Sequence, residues 1–248
     1  MINKICFVVP CRYVEEFGFL TYICVKSIRI NYPNDDIFVV DSDSATKDYS
    51  DKLVKKYGVK FLNIKNRNYS TGGLWYVYDM FRSKYDYYFL IHDSTKILKT
   101  LNISKNLMVA PVMCGKDWLW PRKNTSSKTG IRSPEWAIKQ CQIHGEPFNE
   151  DFHSLLGPMF LVNQKVLKDI SNSGFYKIRP ENKFESENME RLWALKFTNL
   201  GLGRDMKNNS MLGDFREAKY NRFFGDKIIK THQIQDGDVI QKFWVERQ

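Results

Sequence analysis

The sequence predicts an α/β protein built on an open, mostly parallel sheet flanked by helices. Three observations carry this expectation. Short apolar runs alternate with stretches of helical spacing through the first hundred residues. Three of these runs stop at a Pro, Asp or His turn, the punctuation of a buried strand. A chain of 248 residues with 43% hydrophobic and 27% charged side chains can bury one sizeable core.

The elements follow in order. Ile5-Cys6-Phe7-Val8-Val9 is a strand-sized apolar run stopped by Pro10. From about Phe17 to Asn31, Leu20, Ile23, Cys24 and Ile28 share one helical face, and Asn31-Tyr32-Pro33 ends the run. Asp36 to Val40 is a second buried strand leading into Asp41-Ser42-Asp43-Ser44. A helix is expected from about Lys47 to Tyr57, with Gly58 supplying the left-handed residue after it. Val59 to Ile64 reads as a third strand. Ser70-Thr71 is expected to cap a helix from about Gly72 to Lys84, and Tyr87 to Ile91 is a fourth strand ending at His92-Asp93-Ser94-Thr95.

Such alternation implies parallel pairing through crossover helices. Ligands of these sheets sit beyond the carboxyl ends of the strands. The acidic turns 41–43 and 92–95 both fall there, which is the first functional argument.

After residue 100 the pattern loosens. Leu107 to Met113 reads as a strand, and 115–135, with Trp118, Trp120, Pro121 and Gly130, as a long polar loop of the kind that often carries function. Gly157 to Val162 reads as a turn and strand, Gln164 to Ile170 as a short helix, and Asn188 to Leu200 as an amphipathic helix with acids near its start. Ile228 to His232 is strand-like, and 233–248 reads as a polar tail. With no internal repeat and no low-complexity linker, 1–248 is expected to be one domain.

Lys plus Arg is 38 against 28 Asp plus Glu, a formal charge of +10. That balance favours an anionic ligand, such as a phosphorylated one, or an acidic surface. The basic residues are scattered, so no nucleic acid is expected as a partner. The aromatic share of 15% suits a core or a stacking surface. Five cysteines without a CxxC pair argue against a zinc ribbon or a disulfide framework, and point to reduced thiols in a cytoplasmic setting. Met1 to Lys4 leads into no signal-like apolar core, and no run reaches the roughly 18 apolar residues of a membrane-spanning helix.

Four groups of residues carry chemistry. Asp41 and Asp43, two apart after a buried strand, can accept hydrogen bonds from a base or ribose, hold a metal, or simply cap the next helix. Their spacing also resembles the nucleophile loop of haloacid-dehalogenase phosphatases, which would make Asp41 the nucleophile and Asp43 the acid/base. That family places its loop after the first strand and wants Thr or Val where Ala45 stands. In the second group, Asp93 is delivered by an aromatic strand, and a metal held there would neutralise a departing diphosphate. His92, Ser94 or Thr95 would add a ligand or hydrogen bond. His232, one of only four histidines, is a candidate to return to that metal. Finally, Glu185, Glu187 and Glu190 cluster at a helix start. One of them can act as base toward an acceptor hydroxyl, although a helix N-terminus favours the ionised form and so a weaker base.

The ordered series VVP, helix, VVDSDS, helix, strand, Gly-Gly helix, YYFLIHDST resembles the nucleotide-binding half of GT-A glycosyltransferases over residues 1–98. It is similar to such enzymes from large DNA viruses and some bacteria. The resemblance implies a Rossmann-like GT-A fold, with 1–98 binding the nucleotide and 99–248 the acceptor. It implies transfer of a hexosyl or pentosyl group from a UDP- or GDP-linked sugar to a glycan or other hydroxyl acceptor, in the cytoplasm (of the host, if viral). Pro10, Arg12 and Asp41 or Asp43 would hold the nucleoside. Asn68, Gly72, Gly73 and His92 would pack near the sugar nucleotide. Mn2+ or Mg2+ would sit on Asp93, Thr95 and His232. Only Asp93 matches a carboxylate of the family's DxD turn, and the Asp that usually follows the base Glu is absent from Glu185-Ser186-Glu187-Asn188. Glu187 and Glu190 are the candidate bases. A non-catalytic nucleotide- or glycan-binding module is the alternative outside enzymology.

Overall fold

A computed structural model describes residues 3–46, 48–65, 68–113, 133–149, 151–152, 154–212, 220–224 and 227–244. A six-stranded sheet holds β1 (Ile5–Cys11), β2 (Asp36–Asp41), β3 (Lys60–Asn63), β4 (Tyr87–Leu90), β6 (Val109–Met113) and β7 (Leu155–Asn163) in the order β3-β2-β1-β4-β7-β6. The pairs β1–β2, β2–β3 and β1–β4 are parallel, and β7 runs against both its neighbours. The α/β class with a mostly parallel sheet flanked by helices is therefore as the sequence predicts.

The inner strands are apolar over most of their length because both faces are covered. Side chains alternate across β1. Phe7, Val9 and Cys11 pack beneath α1 (Gly18–Asn31) and α2 (Asp48–Tyr57), which contribute Cys24, Val25, Ile28, Tyr49 and Leu53. Cys6 and Val8 face the other way, toward α3 (Tyr69–Phe81), α4 (Glu135–His144), α5 (Gln164–Ser171), α6 (Lys183–Asn199) and α7 (Gly203–Asn208). Trp193 of α6 is fully buried there between Trp75, Phe160 and Phe175, and its Nε1 donates to Thr71 Oγ1 at 3.1 Å.

A second, antiparallel sheet is ordered β5-β10-β9-β8, from β5 (Thr95–Ile97), β8 (Tyr220–Phe224), β9 (Lys227–Thr231) and β10 (Ile240–Trp244). β5 starts at the last residue of the 92–95 turn, and β10 pairs along it with Lys242 opposite Thr95. The main-chain N–H of Phe243 donates to Ser94 O at 2.9 Å. Leu20 of α1 packs with Ile229 and Phe243, fastening this sheet to the first helix.

Several expectations change. Gly58 does adopt φ +61° after α2, and its N–H closes onto Val54 O at 2.9 Å. Ser70 and Thr71 lie inside α3 and do not cap it, because the chain turns at Asn68 and Tyr69. α6 begins at Lys183, a turn earlier than predicted. Asn182 accepts from Glu185 N at 3.0 Å while Glu185 Oε2 accepts from Glu181 N at 2.7 Å, a reciprocal cap that starts the helix. The expected polar tail contains β10. Of the long loop expected at 115–135, residues 114–132 lie outside the described residues, and Glu135 already opens α4. Among the described residues no helix is long and apolar enough to cross a membrane.

Candidate active site

The carboxyl ends of β1, β2 and β4 form one edge, with β1 in the middle. Two inter-strand spacings put the tips of β2 and β4 roughly 10 Å apart. Thr21 on α1 ties them: its Oγ1 lies 3.6 Å from Cys11 Sγ and 3.4 Å from Asp93 Oδ2. Cys11 is in turn in register with Asp41.

Asp41 is fully buried and its oxygens are spent on its own turn. Oδ1 accepts from Ser44 Oγ at 2.5 Å and from Tyr49 OH at 2.8 Å, and Oδ2 accepts from Ser44 N at 3.2 Å. This corrects both roles expected of Asp41. A carboxylate so enclosed reaches neither a nucleoside nor a phosphate ester, so the phosphatase reading loses its nucleophile. It shapes the loop instead: Ser44 Oγ accepts from Tyr13 N at 2.8 Å, and the Tyr13 ring stacks on Tyr49 at 4.2 Å. Asp43 is exposed at φ +64°, and Arg12 is exposed on the neighbouring tip.

The glycine pair divides. A Cβ on Gly73 would lie 3.3 Å from Pro10 Cγ and 3.5 Å from Val40, so Gly73 and Pro10 serve the packing of α3 on the sheet. Gly72 N closes onto Asn68 O at 2.9 Å, and Asn68 Nδ2 donates to Pro180 O at 3.1 Å, joining the start of α3 to the approach to α6. Tyr69, with φ +52°, is exposed at the start of α3. Burial raises its hydroxyl pKa, the Arg12 guanidinium opposes that, and Glu185 and Glu187 add to it.

The turn after β4 is the centre. His92 Nε2 lies 3.1 Å from Ser70 Oγ, and Lys242 Nζ lies 3.4 Å from His92 Nδ1 and 2.6 Å from Ser94 Oγ. The His92 ring thus bridges Ser70 of α3 and Lys242 of β10. Gly157 makes room for that ring. Between β6 and β7 the register slips, with Pro111 opposite Phe160 but Met113 opposite Leu155. In this bulge Gly157 adopts φ +61°, and a Cβ there would sit 2.4 Å from His92 Cε1.

The same glycine reaches Glu190. Burial pushes the Glu190 carboxyl up to about 7, against the adjacent Arg191 guanidinium, a hydrogen bond from the Gly157 backbone and the charge of Lys242, while Glu187 adds to the rise. Its side chain is 17% exposed, with Arg191 Nη1 3.1 Å from Oε2. The expected effect of a helix terminus holds for the position of Glu185, in the first turn of α6, but not for that of Glu190. α6 starts at Lys183, so Glu190 lies two turns inside it, and burial governs its proton.

Two of the expected metal ligands have other contacts. Thr95 is fully buried on β5 with its hydroxyl 3.5 Å from Met159 Sδ. The His232 ring meets Asp238 at 3.8 Å and the edge of Trp244. Among the described residues no group of three or more His, Cys, Asp or Glu is placed to hold a metal ion. The side chain that returns to the turn from the C-terminal sheet is the cation Lys242. One carboxylate beside an ammonium is a poor donor set for Mn2+ or Mg2+, so the residues described do not fit the metal. Lys227 donates to Glu16 O and its ammonium covers the Phe17 ring. Sequence reasoning missed Lys242, Ser70 as a partner of His92, and Gly157 as the hinge of the site. The run Ile240-Gln241-Lys242-Phe243-Trp244 ends in two adjacent aromatics, a signal that could have marked a strand but not where its lysine points.

No protein-family model matches the chain, and no curated protein matches it. Among solved structures it is similar to a crystal structure of S. aureus TarS, at 14% identity and a TM-score of 0.43, over 78% of this chain and 33% of that one. It is also similar to a crystal structure of S. aureus TarS 1-349, at 11% identity and a TM-score of 0.39, over 77% of this chain and 56% of that one. The chain therefore spans a third of one structure and little more than half of the other.

Proposed function

We propose that the protein transfers a sugar from a nucleotide diphosphate sugar to a hydroxyl acceptor by direct displacement. One observation carries this reading. A carboxyl poised near pH 7, Glu190, shares a single glycine with the polar turn at the carboxyl edge of an α/β sheet. A base of that strength suits the acceptor. It is ionised enough to take a hydroxyl proton and basic enough to help as the oxygen attacks.

The parts take these roles. Arg12 and Asp43, exposed at the strand tips, hold the nucleoside. Asp93, held beside Thr21, accepts from hydroxyls of the donor sugar. Tyr69 and Glu187 flank the entrance through which a glycan acceptor approaches. In the reacting step the acceptor oxygen bonds to C1, the C1–O bond to the diphosphate breaks with its electron pair leaving on phosphate, and the hydroxyl proton passes to Glu190. The anomeric configuration inverts.

The test is a thermal-shift panel of UDP, GDP and their sugars, followed by turnover with hydroxyl acceptors and detection of released nucleoside diphosphate. Stabilisation by one nucleotide, and turnover that Asp93→Ala abolishes without loss of fold, are the expected results. If no nucleotide at millimolar concentration raises the melting temperature, the proposal fails. Stabilisation without turnover of the matching sugar would leave a binding module.

A further inference from the structure

We propose that Arg191 is the positioning residue of the base, fixing the Glu190 carboxylate over its own helix so that a single geometry meets the acceptor hydroxyl; this rests on the sugar-transfer reading above. Residues one apart in a helix ordinarily point in different directions. Here Arg191, only 4% exposed, folds back along α6. Its Nη1 donates to Glu187 O at 2.6 Å and to Glu190 Oε2 at 3.1 Å. The guanidinium is held by the helix backbone and holds the carboxylate in turn.

The helix itself is fastened to the polar turn. Glu190 and Trp193 are one turn apart and neighbours on the surface of α6. Trp193 Nε1 donates to Thr71 Oγ1 at 3.1 Å, and the residue before it on α3, Ser70, meets His92 Nε2 at 3.1 Å. Further along, Lys196 Nζ donates to Glu146 Oε2 at 2.6 Å, so α6 cannot roll about its axis without breaking these bonds. Arg191 passes that rigidity to the side chain that needs it. A glutamate free to rotate samples several rotamers, and a base works only within hydrogen-bond reach of the proton it takes. Arg191 also keeps the base usable. The charged and titratable groups facing Glu190 are Arg191 and Glu187 on α6 and Lys242 on β10, with the backbone N–H of Gly157 from β7. Burial has the largest influence and favours the neutral acid, and Arg191 is the strongest of the groups that oppose it.

The test is the pH profile of sugar transfer by the full chain, with UDP- and GDP-linked sugars, hydroxyl acceptors, and Mn2+ both present and absent. Arg191→Gln should move the midpoint of kcat/KM upward by about one pH unit. Its plateau kcat should fall about tenfold while KM for the nucleotide sugar stays within about twofold of the parent's. Arg191→Lys, which keeps the charge but not the planar fork, should hold the parent's midpoint and still lose part of the plateau. In a Glu190→Gln background neither substitution should cost more than about twofold further, because no carboxylate is left to position. Melting curves report whether each variant folds, and Arg191→Lys carries the comparison of backgrounds if Arg191→Gln does not. Equal losses with and without Glu190 would show that Arg191 serves the fold alone and would overturn the proposal. So would an unmoved midpoint in folded Arg191→Gln, or a rise in KM with kcat unchanged, which would make Arg191 a ligand of the donor. Each of these outcomes leaves sugar transfer intact. No turnover by the parent with either nucleotide sugar would remove the sugar-transfer reading, and the role of Arg191 with it.

Discussion

Replacing Glu190 with glutamine tests the base and its environment at once. In the unfolded chain a glutamate titrates near its ordinary value of 4.5, whereas burial holds the folded Glu190 at about 7. Below the lower value the side chain is protonated in both states and contributes nothing. Between the two values the folded protein keeps a proton that the unfolded chain has released, so stability falls as pH rises. Above the upper value the full cost of about 3 kcal/mol is present. Glu190→Gln is spared this cost. Its stability relative to the parent should rise by about 2 to 3 kcal/mol between roughly pH 5 and pH 8, measured by urea unfolding at each pH. Activity should move the other way. The parent's kcat/KM should climb through an apparent pKa near 7 to a plateau, because the ionised carboxylate is the working form. The variant should lose about 100-fold or more in kcat, the usual worth of a general base. A stability difference that stays flat with pH would refute the claim that burial governs this carboxyl. A variant that turns over like the parent would refute its role as base.

Three other substitutions separate structural from chemical roles. Gly157→Ala meets both a left-handed backbone and the His92 ring, so it should lower stability by about 2 kcal/mol or more and remove turnover, seen in melting curves and initial rates. Lys196→Met leaves the Glu146 carboxylate, 6% exposed and 2.6 Å from the lost ammonium, without its counter-charge; the expected loss is about 3 to 5 kcal/mol by denaturant unfolding. Asp41→Ala unpicks the Ser44–Tyr49 turn and should cost about 2 kcal/mol. Neither that variant nor the parent should hydrolyse a generic phosphate ester, and metal-dependent release by the parent alone would revive the phosphatase reading.

The first half of the chain was legible because its signals are local. Runs such as Ile5–Val9 and Tyr87–Ile91 are apolar at every position since both faces are covered, and Gly58 sits where a helix must turn left-handed. The polar strand tips could be read as a ligand edge for the same reason. Chain order alone puts the ends of parallel strands side by side. The acids of α6 were also visible, but not which of them would hold a proton near neutrality. Glu187 and Glu190 look alike in sequence, and only packing against Gly157 and the sheet desolvates Glu190. Asp41 and Asp43 also read alike, yet Asp41 is enclosed by Ser44 and Tyr49 while Asp43 faces solvent.

The sequence by itself determined the order of strands and helices over the first ninety residues, the edge on which polar turns gather, and the residue types available there. Tertiary structure alone decided which groups meet. Lys242 lies 148 residues beyond Ser94 in the chain and reaches its hydroxyl only because β10 pairs with β5. Gly157 touches His92 only because β7 bulges there. Periodicity reports which face of an element is buried, since burial repeats with the backbone's own geometry. Contacts between distant elements, and the charges and proton affinities they set, depend on register and desolvation, which no local pattern encodes.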